Sequence, residues 1–446
     1  MATKLEPNAR SIAAHVIERV LREKAFAAAV LDAALERYPE LDPREKGLAT
    51  ELAYGALRTA PYLETRLSNH ATRGFGKVDA TVRAHLLVAA YQLLFLERVP
   101  PFAAVSEAVR QVGGARGKRV GAFANAVLRR LSEEAPGDKR KALEEAERDS
   151  AAPWLREALV RALGEGGASS FLGSGGAPTI TLRIRSGADR TESMARLAEE
   201  VEGASFEAGA LSPLAISMRA GKDPEKLSLY REGKLAIHEE GAQVIALSLG
   251  AEPGERVLDA CAGRGNKSAL LVEIVGQGGA VDAADQHPQK LDRLRLELLR
   301  LGLSPHATFA VDWAVGTGDV PSNYDRVLID APCSGTGTLR RRPDLATHRQ
   351  AAELGALADL QVAILVSAAS RAKEGGAILY AVCSVLREEA EEVIERARAL
   401  APFLVPAPFP GGPARTLANE ATTLRLLPHL HGTDGYFLAS FVRAAL

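Results

Sequence analysis

From Arg10 to about Leu131, apolar residues recur every three to four positions, as in SIAAHVIERVLREKAFAAAVLDAALERY and HLLVAAYQLLFLERV. That spacing puts one stripe of a helix into a core. Short punctuators divide the runs. Asp42 and Pro43 in LDPREK pair an N-cap carboxylate with a first-turn proline and predict a helix start, while RVPP predicts a helix end near Val99. The region reads as an all-helical bundle. Later the period changes: ERVLDACAG, GAVDAADQ, HATFAVDW, YDRVLIDAP and GGAILYAVCS are short apolar runs, most of them separated by helical stretches such as KSALLVEIV and QKLDRLRLELLRLG. Strands alternating with helices predict a parallel, doubly wound sheet whose ligands lie at the carboxyl ends of the strands. The closing ATTLRLLPHLHGTDGYFLASFVRAAL predicts a hairpin that completes the sheet with an antiparallel strand.

Between these regions, EEAPGDKRKALEEAERD is charged enough to read as a linker or an exposed helix. APWLREALVRAL and the strand-like TITLRIR that follows predict a small α+β module without a chemical motif. The resulting division is a helical domain over 1–135, a linker and α+β module over 136–235, and an α/β domain over 236–446.

Composition changes this picture in three ways. With 47% apolar residues in 446 the chain can bury more than one core, and 5% aromatics suits helices and α/β layers better than a β sandwich. Three cysteines, Cys261, Cys333 and Cys383, have no zinc-ligand spacing and are too few for a disulfide framework. No uninterrupted apolar stretch approaches a membrane span, so a cytoplasmic monomer needing neither metal nor membrane is expected. The formal charge of −1 hides an asymmetry. Residues 1–130 hold 20 Lys+Arg against 13 Asp+Glu, a balance of +7, which leaves −8 for the remainder and fits a polyanion bound at the front end.

The first strand runs into DACAGRGNKS, where Gly263 and Gly265 mark the turn into a helix. Glycines there admit a ligand close to the backbone, and the helix start offers free N–H groups. The stretch lacks both the third glycine of a dinucleotide fingerprint and the spacing of a phosphate-binding Walker loop. Asp285 closes the second strand, where a carboxylate can accept ribose hydroxyls. A nucleoside without a pyrophosphate fits best, namely S-adenosylmethionine, with Asp312 near the adenine amino group. Cys261 is assigned only backbone contact with this cofactor.

Cys333 in DAPCSGTGTLRRRPD and Cys383 in LYAVCSV end neighbouring strands. Beside a methyl donor, a thiolate that adds to C6 of a pyrimidine turns C5 into a nucleophile, replacing one difficult step by two easier ones. Asp330 is placed to hydrogen-bond N3 and the exocyclic amine. Cys383 leads into CSVLREEAEEV, read as a helix whose first amides favour a thiolate. The base that takes the C5 proton is the second thiol or a water. Arg340, Arg341 and Arg342 follow the base-holding loop and are candidates for phosphate contact.

Two resemblances sharpen these readings. LDPREKGLATELAYGALR and YQLLFLERVPPFAAVSEAVRQV…GAFANAVLRRL resemble the NusB-type RNA-binding helical domain, which implies RNA contact through Arg58, Arg110, Lys118, Arg119, Arg129 and Arg130. DAPCSGTGTLRRRPD and YAVCSV are similar to the two cysteine motifs of the Sun family of RNA 5-methylcytosine methyltransferases. Together the two parts resemble the bacterial members of that family that modify small-subunit (16S) rRNA. The resemblance implies a Rossmann-like class I methyltransferase fold behind the helical domain, with Cys383 as nucleophile and Cys333 assisting product release. It also implies a cofactor loop of Cys261, Ala262, Gly263, Arg264, Gly265, Asn266 and Lys267, with Asp285, Asp312 and Asp330 lining the site. The chain departs from the family twice: Arg264-Gly265-Asn266-Lys267 stands where Pro-Gly-Gly-Lys is usual, and His238-Glu239 where a Gln-Asp or Gln-Glu pair is common.

Three alternatives stay open. Pro332-Cys333 resembles the Pro-Cys nucleophile of DNA cytosine-5 methyltransferases, which would exchange the roles of the two thiols. The same chemistry could serve tRNA. The altered Arg264–Asn266 loop would also suit a non-catalytic RNA-binding or assembly protein with a decayed methyltransferase domain.

Overall fold

A computed structural model of the chain describes residues 7–71, 75–175, 179–219 and 223–445. It forms two compact units, one of residues 1–178 with 338–349, the other of residues 179–337 with 350–446. The chain therefore passes between units at three places, because a short excursion after Gly337 belongs with the helices.

The first unit contains the helices Ala9–Glu23, Ala27–Arg37, Pro43–Arg58, Ala60–Ser68, Ala80–Phe95, Pro101–Arg116, Lys118–Ser132, Lys139–Asp149 and Pro153–Leu172. Asp42 caps its helix as expected, its Oδ1 accepting from the amides of Arg44 (2.7 Å) and Glu45 (2.9 Å) while Pro43 occupies the first turn. The expected helix end near Val99 is corrected. That helix stops at Phe95, and Pro100 and Pro101 open the next one, where the missing proline N–H costs nothing. Helix Ala80–Phe95 is apolar on all sides because it is the centre of the bundle, with Leu86, Leu87, Ala90, Tyr91 and Leu94 all buried.

The charged stretch read as a linker or exposed helix is the helix Lys139–Asp149, and one face of it is buried: Ala146 joins the bundle core and Glu147 is enclosed. Glu147 Oε1 accepts from Arg58 Nε at 3.1 Å, with the two side chains only 4% and 8% exposed. Arg58 is thereby removed from the set of RNA-facing candidates, since its guanidinium is spent on a buried carboxylate.

In the second unit, strands β1 (Ile180–Ile184), β2 (Ser205–Ala208), β3 (Ala215–Arg219) and β4 (Leu235–Ile237) form a four-stranded antiparallel sheet in the order β2-β3-β1-β4. The larger sheet has eight strands: β5 (Arg256–Asp259), β6 (Ala280–Asp285), β7 (Ala307–Ala310), β8 (Tyr324–Asp330), β9 (Ala372–Val382), β10 (Leu404–Pro406), β11 (Thr423–Leu426) and β12 (Tyr436–Arg443). Its order is β10-β12-β9-β8-β5-β6-β7, with β11 paired to β12. The five strands from β9 to β7 are parallel, while β12 runs antiparallel to β9, β10 and β11. This is the doubly wound sheet with a terminal antiparallel hairpin that the strand–helix alternation predicts. Strand order reverses at β5, which lies between β6 and β8, and such a reversal opens a crevice at the carboxyl ends.

Helix Ala352–Ala369 has the length and hydropathy of a membrane span. It carries Glu353 and Asp359, and its Val362, Leu365, Ala368 and Ala369 pack in one core with Tyr324, Ile329 and Ile378 of the sheet. Burying a side chain such as Leu365 contributes roughly 1.5–3 kcal/mol, so sheet packing accounts for the apolar composition.

Candidate active site

After Asp259 the backbone continues the ladder on both sides, Ala260 N donating to Leu328 O (2.8 Å) and Ala262 N to Ala284 O (2.8 Å). Gly265 N then donates to Ala262 O (2.9 Å), and the helix Asn266–Val275 begins. Gly265 is required twice over. Its φ of 92° is left-handed, and a Cβ there would lie 2.7 Å from Leu294 Cγ. Arg264, in place of the proline that the resemblance implies, is exposed, so the strand-to-helix turn forms without that ring.

Asp285 is the last residue of β6. Its carboxylate accepts from Gly263 N (3.1 Å) and His287 N (2.9 Å) and pairs with Lys290 (3.4 Å), so it is tied to the turn that the expected cofactor loop forms. Asp312 is not at the end of β7 but two residues beyond it. It accepts from Ala314 N (3.0 Å) and from Gln286 Nε2 (2.8 Å), which brings it beside the residue that follows Asp285. Cys261 is a thiol that burial, with Asp259, Asp330 and Asp285 adding to it, pushes well above its ordinary value. It stays protonated, as a packed rather than a reactive cysteine.

Asp259 is a buried carboxylate at the site that the sequence does not single out, although an acid closing the first strand is the available signal. It is 1% exposed, its Oδ2 accepts from Ser268 Oγ at 2.6 Å, and its Oδ1 has no protein partner. Burial pushes it up to about 6, against the opposing pull of Ser268 and Lys267. His238 is likewise buried with neither ring nitrogen partnered, and burial, reinforced by Arg183 and Lys267, keeps it neutral.

The cysteine motifs converge. β8 and β9 pair in parallel with Asp330 opposite Ala381, and Ala331 N donates to Ala381 O (2.9 Å). Cys333 Sγ and Cys383 Sγ then lie 3.2 Å apart, with no disulfide between them. Their hydrogen bond, followed by burial, pushes Cys333 well above its ordinary value. Lys267 Nζ donates to Asp330 Oδ2 at 2.6 Å. Burial opposes the charge of Lys267, but Asp330, Asp259 and Cys383 more than offset it and hold the ammonium above its ordinary value. The loop holding Cys333 is closed by Gly337, whose N–H donates to Cys383 O (3.0 Å) and whose carbonyl accepts from Gly435 N (2.8 Å). A Cβ on Gly337 would sit 1.9 Å from Gly435 O.

One expectation fails here. The helix after Cys383 starts only at Glu391, beyond a single 3-10 turn at Arg387–Glu389, so Cys383 is not in its first turn and the helix-amide argument does not apply. That turn instead delivers Glu389, which is fully buried. Its carboxylate receives Ser334 N (2.7 Å), Ser334 Oγ (2.5 Å) and Gln361 Nε2 (3.0 Å). Within REEAEEV nothing in the sequence separated this acid from its solvated neighbours.

Of the RNA-facing candidates, Lys118, Arg119, Arg129 and Arg130 are exposed on helix Lys118–Ser132, and Arg110 is exposed and paired with Glu107. Arg340, Arg341 and Arg342 fall in the excursion that belongs to the helical unit, where Arg340 O accepts from Arg58 Nη1 at 3.3 Å.

Residues 246–442 match the family model described as 16S rRNA methyltransferase RsmB/F, and residues 7–133 match the NusB family. The chain is 35% identical to ribosomal RNA small subunit methyltransferase B of Pseudomonas putida, over 98% of this chain and 99% of that one. It is 31% identical to the probable ribosomal RNA small subunit methyltransferase B of Bacillus subtilis, over 97% and 98%. Among solved structures, the crystal structure of PH0851 superposes with a TM-score of 0.77 at 24% identity, covering 99% of this chain and 100% of that one. NSun6 from Pyrococcus horikoshii with SFG superposes at 0.57 and 16% identity, over 66% and 99%. These two likenesses establish the shared fold.

Proposed function

The chain belongs to the RsmB/F family of 16S rRNA methyltransferases, and from that premise we propose that it methylates C5 of a cytosine in small-subunit rRNA through a covalent bond between Cys383 and C6 of the base. The methyl donor is S-adenosylmethionine, which supplies an electrophilic methyl group. The residues present fit it. Asp285, at the end of β6, suits the ribose hydroxyls, and Asp259 Oδ1, buried without a partner, suits an ammonium. The helix start at Asn266 offers amides to a carboxylate, and Asp312 beside Gln286 remains the candidate for the adenine edge.

The observation that carries the reading is the pair of thiols 3.2 Å apart beside the Lys267–Asp330 ion pair. Cys383 adds to C6 as the thiolate, with Lys267 close enough to sense its charge. The electron pair displaced from the C5–C6 double bond is taken up at C5, which becomes the methyl acceptor. Asp330 holds N3 and the amine as charge develops on the ring. Once Cys383 sulfur is bonded to carbon, Cys333 loses the hydrogen bond that contributes most to keeping it protonated. It then gives its proton to solvent and, as a thiolate, takes the proton from C5. The C5–C6 double bond re-forms and Cys383 leaves with the electron pair of its bond to C6. Because C6 is attacked from the ring face, the target cytosine is unstacked, in a loop or a transiently opened strand. A compartment that keeps thiols reduced, the cytoplasm, suits this chemistry.

RNA carrying 5-fluorocytosine tests the assignment. The adduct should form with the unaltered chain and with Cys333→Ala but vanish with Cys383→Ala; an adduct that persists in Cys383→Ala and not in Cys333→Ala would exchange the roles. Calorimetry with S-adenosylmethionine separates an active enzyme from a decayed scaffold, since absence of binding heat speaks for the scaffold. Bisulfite sequencing of total RNA from a deletion strain separates rRNA from tRNA as the substrate.

A further inference from the structure

Around Cys333 lies a buried set of hydrogen bonds for which the reaction above has no use. Glu389 is fully buried, and the donors to its carboxylate are neutral groups. Its carboxylate receives the amide and hydroxyl of Ser334, the residue next to Cys333, and the amide nitrogen of Gln361. Gln361 Nε2 also donates to Pro332 O at 2.9 Å, on the other side of Cys333. Tyr380 OH closes the set, donating to Glu389 O (2.9 Å) and lying 3.3 Å from Gln361 Oε1. The hydroxyl of Ser334 contacts Thr336 Oγ1 (3.2 Å), which contacts Ser384 Oγ (3.0 Å), the residue after Cys383. Both neighbours of Cys333 are thus tied to a single carboxylate, Ser334 directly and Pro332 through Gln361, and Ser384 beside Cys383 is tied to it through Thr336 and Ser334.

We propose that Glu389 is a positioning residue: it fixes the Pro332–Thr336 turn from behind and so presents the Cys333 thiol to Cys383 and to the carbon from which the proton leaves. The proposal rests on the covalent reading above. A buried carboxylate needs a strong reason to be there, since three or more donors must be arranged to replace its water. Here the donors, Ser334 N, Ser334 Oγ and Gln361 Nε2, belong to the turn or to the helix that props it, and a neutral residue of the same shape would serve packing alone. The charge has its own effect, because Glu389 is one of the groups that hold Cys333 in the protonated state before the base arrives. A turn positioned without that charge would leave Cys333 more acidic in the free enzyme.

Glu389→Gln keeps the volume and removes the charge; Ser334→Ala removes one donor and leaves the carboxylate. With ordinary cytosine RNA and S-adenosylmethionine, Glu389→Gln should form the Cys383 adduct but release it at least tenfold more slowly, so covalent complex accumulates on gels. Ser334→Ala should do the same to a smaller degree. In the full-length chain without RNA, alkylation of Cys333 by iodoacetamide, mapped by mass spectrometry across pH, should reach its midpoint at least half a pH unit lower in Glu389→Gln. A merely structural role would not move that profile in this direction. Release at the unaltered rate in whichever of the two variants folds, or an unshifted profile in folded Glu389→Gln, overturns the proposal. Failure of the unaltered chain to trap 5-fluorocytosine RNA would instead defeat the covalent reading itself, so the two failures are distinguishable.

Discussion

Replacing Arg58 by methionine tests how the helical unit is held together. Arg58 and Glu147 meet at 3.1 Å with side chains 8% and 4% exposed, and Arg58 also donates to Arg340 O. Methionine preserves the stem and deletes the charge, which strands a carboxylate in a nearly dry site. Burial already raises Glu147, with Arg58 the largest opposing influence, so loss of Arg58 raises it further. Breaking a buried pair at one end costs about 3–5 kcal/mol, and with a urea slope of roughly 2 kcal/mol per molar for a unit of this size the midpoint should fall by roughly 2 M. The chain has two tryptophans, Trp154 in helix Pro153–Leu172 and Trp313 in the other unit. Fluorescence in a Trp313→Phe background therefore reports the helical unit alone. The sign with pH follows from linkage. A carboxyl raised in the folded state contributes stability that is present below its unfolded value of 4.5 and lost as pH rises through the folded one. The penalty of Arg58→Met should thus be large at pH 7 and shrink near pH 4.5, and Arg58→Met with Glu147→Gln should recover most of it at pH 7. A single variant that unfolds within about 0.5 M of the parent at pH 7 would refute the argument that this pair is buried and charged.

Other expectations follow from the same reasoning. Gly265→Ala combines about 1–2 kcal/mol of left-handed strain with a contact against Leu294 at 2.7 Å, and calorimetry should register at least a tenfold loss of S-adenosylmethionine affinity. Gly337→Ala drives a Cβ to within 1.9 Å of Gly435 O, where only backbone could yield; about 3 kcal/mol or more of destabilisation and loss of the 5-fluorocytosine adduct are expected, and wild-type trapping would contradict the close approach. Burial lowers His85 to about 4 from 6.5. A depressed histidine contributes stability that is present above pH 6.5 and lost as pH falls toward 4, about 3 kcal/mol in all. His85→Leu should flatten the fall in thermal midpoint between pH 7 and pH 5.

What could be read from sequence was whatever depends on near neighbours. Asp42-Pro43 marks its helix start because a cap acts over three residues, and the strands ending in Asp259, Asp285 and Asp330 show as apolar runs because each is buried on both faces. Cys333 and Cys383 could be put on adjacent strands since strands that follow one another in sequence are neighbours roughly two-thirds of the time. What escaped was the fate of single charges. Arg58 and Glu147 are 89 positions apart, and Glu389 and Ser334 are 55 apart. Nothing local distinguishes an arginine or glutamate that will find a buried partner from one that stays in water. Arg340, Arg341 and Arg342 were read with the loop they follow, whereas they group with helices nearly three hundred residues earlier. Pro100 and Pro101 were read as a stop because proline punctuates both ends of a helix, and which end it marks depends on the fold around it.

The excursion at Thr338–Arg349 also bears on how the molecule is born. A ribosome adds residues from the N-terminus at roughly 5–20 per second. The helical unit has all of its first 178 residues early, yet its last piece, residues 338–349, is made only after strands β5 to β8 of the large sheet. At those rates the bundle waits roughly 10–30 s on the ribosome for its final segment. The two units cannot mature strictly one after the other, and the order of synthesis itself obliges strands β5 to β8 to be made before the helical unit is complete, with β9 to β12 still to come.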